Sequence, residues 1–193
     1  MNWYINIKTS QKRGGRLVVV DVQPAYASYI GFDMHEFTKF MSGYSSILIL
    51  FNGPEMGYEG QNEISEFYYE NGLNERNLGK LSFFEKGYAF FRDSMDACWA
   101  RNDIVKLVKY MIQKGYTDIR ELKEEDIEYL NIEEVTMDTL ENHGFYIPDL
   151  KDTLASWSGA DICGGGLNEC LEEVIILSEA MGLTFNNISK FIY

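Results

Sequence analysis

The chain has 193 residues, of which 46% are hydrophobic, and its formal net charge is −13. This length and composition predict one globular domain, residues 1–193, and exclude an intrinsically disordered chain. An acidic protein repels a phosphate backbone, and no apolar run has the length of a membrane span, so neither a nucleic acid nor a membrane is an expected partner.

Apolar runs between turns predict the strands. The runs at 16–22 and 45–51 are nearly continuous, which is typical of strands buried on both faces of a parallel sheet. The predicted strands, in chain order, are 1–8, 16–22, 45–51, 81–84, 160–163 and 183–193.

Segments with apolar residues at helical spacing predict helices between these strands. Asp33 is expected to cap the first of them. The predicted helices are 33–41, 64–71, 89–99, 103–114, 148–157, one that begins at Leu167, and short helices within 118–141. The alternation predicts a three-layer α/β/α fold around a mostly parallel, Rossmann-like sheet.

The segment 118–141 carries ten acidic and two basic side chains. Such a charge run usually forms a solvated helical face. The alternative is a surface that binds a basic protein partner by charge complementarity.

Three chemically different side chains follow the carboxyl ends of predicted strands. Asp21 ends the first buried strand, Lys86 follows the strand at 81–84, and Cys170 follows the strand at 160–163 and three glycines. Parallel strands bring their carboxyl ends to one edge of a sheet, where ligands bind in open α/β folds. We therefore expect the three side chains to converge.

Their chemistry fits covalent catalysis. A cysteine attacks as its thiolate, and a nearby lysine ammonium lowers the pKa of a thiol. A carboxylate can take up the thiol proton and return it to a leaving amine. Backbone N–H groups of the glycine turn, at Gly165 and Gly166, could hold the oxyanion of a tetrahedral intermediate.

The segments VVVDVQPAY around Asp21, FFEKGYAFF around Lys86 and ADICGGGLNEC around Cys170 resemble those of the isochorismatase-like cysteine hydrolases, which include nicotinamidases and related amidohydrolases. The resemblance covers residues 16–95 and 147–193. It implies an isochorismatase-like fold in which Asp21 is the acid/base, Lys86 stabilises the thiolate and Cys170 is the nucleophile. The expected reaction is hydrolysis of a C–N bond in a small-molecule amide.

The resemblance also aligns Gly164 with a family glycine six positions before the cysteine. It implies a cis peptide between the next two residues, Gly165 and Gly166, and a homo-oligomer. Three further residues follow strand ends at the same edge and are expected to line the substrate pocket: Tyr26, Asn52 and Tyr88.

Departures from the family pattern limit this reading. The segment NGPEMGYEG replaces the metal-binding histidines of nicotinamidases, and the two histidines, His35 and His143, lie elsewhere, so we expect neither a metal nor a cofactor. The long separation of Lys86 from Cys170 predicts an acidic helical insertion at about 100–146. Glutamates at 169, 172 and 173 oppose the effect of Lys86 on the thiol.

Competing interpretations remain for the cysteines and for the whole protein. Cys170 could be a core cysteine, and Cys98 and Cys163, which lack a polar context, are assigned to the core. Three cysteines without framework spacing, and no signal peptide, predict a cytoplasmic protein. The alternative to an enzyme is a catalytically silent binding or inhibitory module that acts through its acidic surface.

Overall fold

A computed structural model of the chain describes residues 15–86, 99–142, 145–147 and 149–193. Its centre is a sheet of five strands in the order β3-β2-β1-β4-β5, with every neighbouring pair parallel. The strands are β1 (Arg16–Val20), β2 (Ser46–Phe51), β3 (Leu81–Glu85), β4 (Asp161–Gly164) and β5 (Asn186–Asn187). The predicted α/β fold with a parallel sheet is confirmed.

Eight α-helices are described, and four short 3-10 turns accompany them. The helices are α1 (Met34–Met41), α2 (Gln61–Glu70), α3 (Glu75–Leu78), α4 (Arg101–Lys114), α5 (Glu124–Leu130), α6 (Met137–Asn142), α7 (Leu150–Ser156) and α8 (Cys170–Ala180). The 3-10 turns are Pro24–Tyr26, Pro54–Met56, Ile119–Glu121 and Ser189–Phe191.

The helix ends follow from local chemistry. Asp33 caps α1, because its carboxylate accepts a hydrogen bond of 2.8 Å from the Glu36 N–H. Helix α4 ends at Gly115, whose φ of 76° is a left-handed conformation that glycine adopts without a steric penalty. Both boundaries agree with the sequence-based prediction.

β1 and β2 are buried on both faces. Leu17, Val19, Ile47 and Ile49 belong to an aromatic-rich core with residues of α1 and α2, namely Phe37, Met41, Ile64 and Tyr68. The alternate strand residues Val18, Val20, Leu48 and Leu50 are buried as well. Burial on both sides explains the continuous apolar runs, and a sheet of a three-layer fold requires it.

The last predicted strand is largely wrong. Only Asn186 and Asn187 pair with β4, and the chain then forms the 3-10 turn Ser189–Phe191. Asparagine is a poor strand former, and Phe191 turns into the core, where its ring lies 4.7 Å from that of Phe40. The predicted strand at 1–8 and helix at 89–99 lie outside the described residues, apart from the last residue of that helix.

The chain divides into two compact units. Among described residues, the first contains 15–86, 157–171 and 184–193 and therefore the whole sheet. The second contains 99–142, 145–147, 149–156 and 172–183, which includes the described part of the predicted insertion. All residues of the candidate site described below belong to the first unit.

Candidate active site

The site lies where the strand order reverses. β2 and β3 lie on one side of β1, and β4 and β5 lie on the other. Val20 and Gly164, the last residues of β1 and β4, are partners in the sheet, so the chain leaves both strands at neighbouring points. The crevice at such a reversal is the usual ligand site of an open parallel sheet.

Asp21 and Lys86 form a buried ion pair at this edge. The Lys86 Nζ lies 3.0 Å from the Asp21 Oδ2, and the exposed fractions of the two side chains are 0% and 1%. Their backbone N–H groups donate to Leu50 and Phe51 of β2. Because β2 separates their strands, the long lysine side chain reaches across its end, and the predicted convergence of these two residues is confirmed.

Asp21 adopts a left-handed backbone conformation, with a φ of 52°. Aspartate tolerates this region better than most residues, but the conformation still costs about 1–3 kcal/mol. The Asp21 carbonyl oxygen accepts hydrogen bonds from the Gln23 N–H at 3.1 Å and from the Tyr193 hydroxyl at 2.8 Å. These two donors support the strained turn that directs the carboxylate to Lys86.

Asn52 and Tyr26, which are predicted to line the substrate pocket, extend the polar cluster around Lys86. The Lys86 ammonium donates to the Asn52 Oδ1 at 3.3 Å, and the Asn52 Nδ2 donates to the Tyr26 hydroxyl at 2.9 Å. Burial, hydrogen bonding with Tyr58 and the charge of Asp21 raise the pKa of the Tyr26 phenol, so it stays protonated. Tyr88, the third predicted pocket residue, lies outside the described residues.

Gln23 is a buried member of the cluster to which the sequence-based reasoning assigned no role. Its side-chain amide accepts from the Asn52 N–H at 3.0 Å and donates to the Asn52 carbonyl at 3.1 Å. It also donates to the Glu59 Oε2 at 2.9 Å. Gln23 thus joins the loop after β1 to the loop after β2, and its place two residues beyond Asp21 was the available signal.

The glycine turn after β4 depends on left-handed backbone at two positions. Gly164 and Gly165 have φ angles of 83° and 61°. A Cβ on Gly164 would lie 2.3 Å from the Val20 carbonyl oxygen, so no larger residue fits beside β1. The sequence predicts a helix that begins at Leu167, but helix α8 begins at Cys170. The half-buried Cys170 is therefore the first residue of that helix.

The expected cis peptide between Gly165 and Gly166 is wrong, since no peptide bond within the described residues is cis. The two left-handed glycines that precede it already reverse the chain, and a trans bond completes the turn. The Leu167 and Glu169 N–H groups donate to Tyr193 and Gly166. Within the described residues the Gly166 N–H has no acceptor, and it remains a candidate oxyanion donor.

Tyr193 connects the thiol side of the site to the carboxylate side. Burial raises the pKa of its phenol, and the negative charge of Asp21 adds to the rise. Cys170 and Glu169 act in the same direction on this pKa. The sequence pattern places Tyr193 only at the end of a predicted strand, and no local pattern indicates its hydrogen bond to Asp21.

The other cysteine in the described part of the chain lies in the hydrophobic core. Cys163 is fully buried in the core, as predicted, and burial raises the pKa of its thiol. Neither Cys163 nor Cys170 forms a disulfide. Cys98 lies outside the described residues. Of the three glutamates that neighbour Cys170 in the sequence, Glu172 forms an ion pair with Arg101.

Comparisons with protein-family models, with curated proteins and with solved structures found no match to this chain. Across residues 15–86, 99–142, 145–147 and 149–193, no group of three or more histidine, cysteine or acidic side chains is arranged to hold a metal ion. None of the helices in these ranges combines the length and apolar character that a bilayer crossing requires.

Proposed function

We propose that the protein is a cysteine hydrolase of the isochorismatase-like superfamily that cleaves a C–N bond in a small amide. The observation that carries this proposal is the buried ion pair of Asp21 and Lys86 at the reversal of strand order. A protein seldom buries a carboxylate and an ammonium at a ligand-binding edge without a chemical use, because the desolvation of both charges is costly.

In the first half of the reaction, the Asp21 carboxylate takes the proton from the Cys170 thiol. The thiolate attacks the carbonyl carbon of the amide and forms a tetrahedral oxyanion, which the Gly166 N–H stabilises. When the C–N bond breaks, Asp21 returns the proton to the leaving amine. A thioester at Cys170 remains.

In the second half, Asp21 accepts a proton from a water molecule, whose oxygen attacks the thioester carbonyl. The C–S bond breaks, the acid product leaves, and the sulfur recovers the proton. Lys86 stabilises the negative charge of the thiolate through both halves. Asn52 and Tyr26 are expected to contact the substrate near Lys86.

The burial of the pair has a consequence for substrate binding. Both Asp21 carboxylate oxygens are closed to solvent. A substrate therefore reaches the half-buried thiol first, and the side chains around Asp21 move when the amide enters. This is the usual behaviour of sites whose closure excludes water from the reacting groups.

The same closure is the observation that favours the alternative, a catalytically silent binding module. Helix α5 presents Glu124, Glu125 and Glu128 to solvent, and its Tyr129 is 74% exposed. A basic protein partner would bind this acidic surface by charge complementarity. In both cases we propose a cytoplasmic protein, and for the enzyme a homo-oligomer.

Alkylation of Cys170 against pH separates the two functions. Iodoacetamide labelling, read for each cysteine by peptide mass spectrometry, should give a Cys170 midpoint well below the ordinary thiol value of about 8.5. Cys163 serves as the internal control because it is buried. A screen of small amides should show turnover that Cys170→Ala abolishes while the fold is retained.

Two results would count against the enzyme. A Cys170 midpoint at the ordinary thiol value means that no group activates the sulfur. Full turnover by Cys170→Ala means that another residue carries the reaction.

A further inference from the structure

Tyr193 joins the two loops of the site through three hydrogen bonds. Its hydroxyl donates to the Asp21 carbonyl oxygen at 2.8 Å. Its backbone N–H donates to the Gly165 carbonyl at 3.1 Å, and its own carbonyl accepts from the Leu167 N–H at 3.2 Å. One residue therefore contacts both the turn that carries the carboxylate and the turn that precedes the thiol.

The Tyr193 ring packs against the hydrophobic core of the first unit. The Tyr193 ring lies 6.3 Å from that of Phe32, which belongs to the packed aromatic cluster of the first unit. The titratable groups near the phenol are Asp21, Cys170 and Glu169, all of which carry or can carry negative charge. Burial first, and these groups in addition, raise the pKa of the Tyr193 phenol, so that it remains a hydrogen-bond donor to Asp21.

The bond is made to a strained residue. Asp21 has a φ of 52°, and a left-handed conformation at a residue other than glycine persists only where the surrounding structure enforces it. The two groups that bind its carbonyl oxygen are the Gln23 N–H, two residues along the chain, and the distant Tyr193 hydroxyl. Tyr193 supplies the tertiary contact at this carbonyl oxygen, in addition to the hydrogen bond from the Asp21 N–H to Leu50.

We infer that Tyr193 is a positioning residue of the proposed hydrolase site, which sets the reactivity of Cys170 by holding the Asp21 turn against Lys86. The inference rests on the proposed function. Tyr193 touches no reacting atom in this role. It acts through Asp21, whose carboxylate lies 3.0 Å from the ammonium that stabilises the thiolate.

The direction of the effect follows from the ion pair. Without the hydroxyl, the Asp21 turn can relax toward ordinary backbone conformations, and Lys86 moves with the carboxylate that it contacts. A cation farther from the sulfur stabilises the thiolate less, so a higher pH is needed to form it.

The test compares Tyr193→Phe with Tyr44→Phe in the full-length protein. Phenylalanine keeps the ring packing and removes only the hydroxyl. Tyr44 is a matched control, because its hydroxyl also makes a hydrogen bond, of 2.7 Å to Asp161, but at the opposite edge of the sheet. The readouts are the pH midpoint of Cys170 alkylation by iodoacetamide and the urea midpoint of unfolding.

Tyr193→Phe should raise the alkylation midpoint by about one pH unit, which is about a tenfold slower alkylation at any pH well below the wild-type midpoint. Tyr44→Phe should leave the alkylation midpoint unchanged, and the two variants should lose similar stability. A low midpoint that is the same in the wild type and in Tyr193→Phe overturns the role of Tyr193 alone. An ordinary thiol midpoint in the wild type overturns the proposed function and this inference together.

The stability measurement excludes a general structural effect. If the urea midpoint of Tyr193→Phe falls far below that of Tyr44→Phe, the hydroxyl serves the fold as a whole, and the positioning role is overturned.

Discussion

The Lys86 ammonium lies 3.0 Å from the Asp21 carboxylate, and the two side chains are closed to solvent. Each residue follows a different strand, and the strand between them contributes the carbonyl groups to which their N–H groups donate. The pairing of the strands therefore positions the two residues, and neither loop does so alone. Removal of either charge should destabilise the folded protein, because the remaining buried charge would have no opposite charge beside it.

Lys86→Met should lower the free energy of unfolding by about 3–5 kcal/mol, since it leaves the Asp21 carboxylate buried without a cation. The control is Lys190→Met, which breaks the exposed ion pair with Glu36 and should cost no more than about 1 kcal/mol. Urea unfolding at pH 7 measures both. Equal losses in the two variants would show that the Asp21–Lys86 pair is effectively solvated.

Gly164→Ala should lower the free energy of unfolding by about 2–5 kcal/mol, which combines a left-handed backbone with a steric clash. The clash is with the Val20 carbonyl oxygen, at 2.3 Å from the added Cβ. Gly159 is the matched control, because its φ is 82° and a Cβ there meets nothing within 4 Å. Gly159→Ala should therefore cost only about 1–2 kcal/mol. A Gly164→Ala variant no less stable than Gly159→Ala would mean that β1 and β4 can separate at this point without loss.

Gln23→Leu should lower the free energy of unfolding by about 2–5 kcal/mol, because it leaves the buried N–H and carbonyl groups of Asn52 without partners. Gln61→Leu, at an exposed position in α2, should change stability by less than about 0.5 kcal/mol. Thermal unfolding of both variants measures whether the hydrogen bonds between the Gln23 side chain and the Asn52 backbone contribute to stability. A wild-type melting temperature for Gln23→Leu would contradict the bridge.

The stability contributed by Asp126 should depend on pH. Hydrogen bonds from Tyr110 and from the Lys123 N–H lower the pKa of this carboxyl. A lowered pKa in the folded state stabilises the protein above the unfolded value of about 3.9, and this stabilisation is lost as the pH falls through the folded value.

Asp126→Asn should therefore be less stable than the wild type at pH 7, and the difference should shrink in acid below about pH 4. Asp138→Asn, at an exposed position in α6, is the control and should show no such trend. Chemical unfolding across the pH range measures both variants. If the stability difference between Asp126→Asn and the wild type does not change with pH, the shape of the Asp126 side chain, and not its charge, sets its contribution to stability.

Much of the fold could be predicted because strands buried on both faces consist almost entirely of apolar residues. β1 and β2 are covered on both faces, so nearly every residue is apolar and the strands are visible without periodicity. The segment around Phe191 could not be predicted in this way. Its place in the core draws the end of the chain into a 3-10 turn, and this depends on aromatic partners that are distant in the sequence.

The site could be predicted in part for a similar reason. Parallel strands bring their ends together, and this alone anticipates the meeting of Asp21 with Lys86 and of Lys86 with Asn52. The left-handed conformation of Asp21 and the bond from Tyr193 could not be predicted, since both depend on the tertiary structure. The expected cis bond after Gly165 came from the family resemblance, whereas the left-handed conformations of Gly164 and Gly165 are seen only in the structure.

The position of β4 between β1 and β5 has a consequence for how the sheet assembles during synthesis. The strands β1, β2 and β3 leave the ribosome early and can pair with one another, which is enough to join Asp21 to Lys86. The edge of β1 stays unpaired until β4 emerges late in the chain, and an open apolar edge invites association with other chains. Docking of β4 closes that edge and brings the glycine turn that follows β4 next to the end of β1.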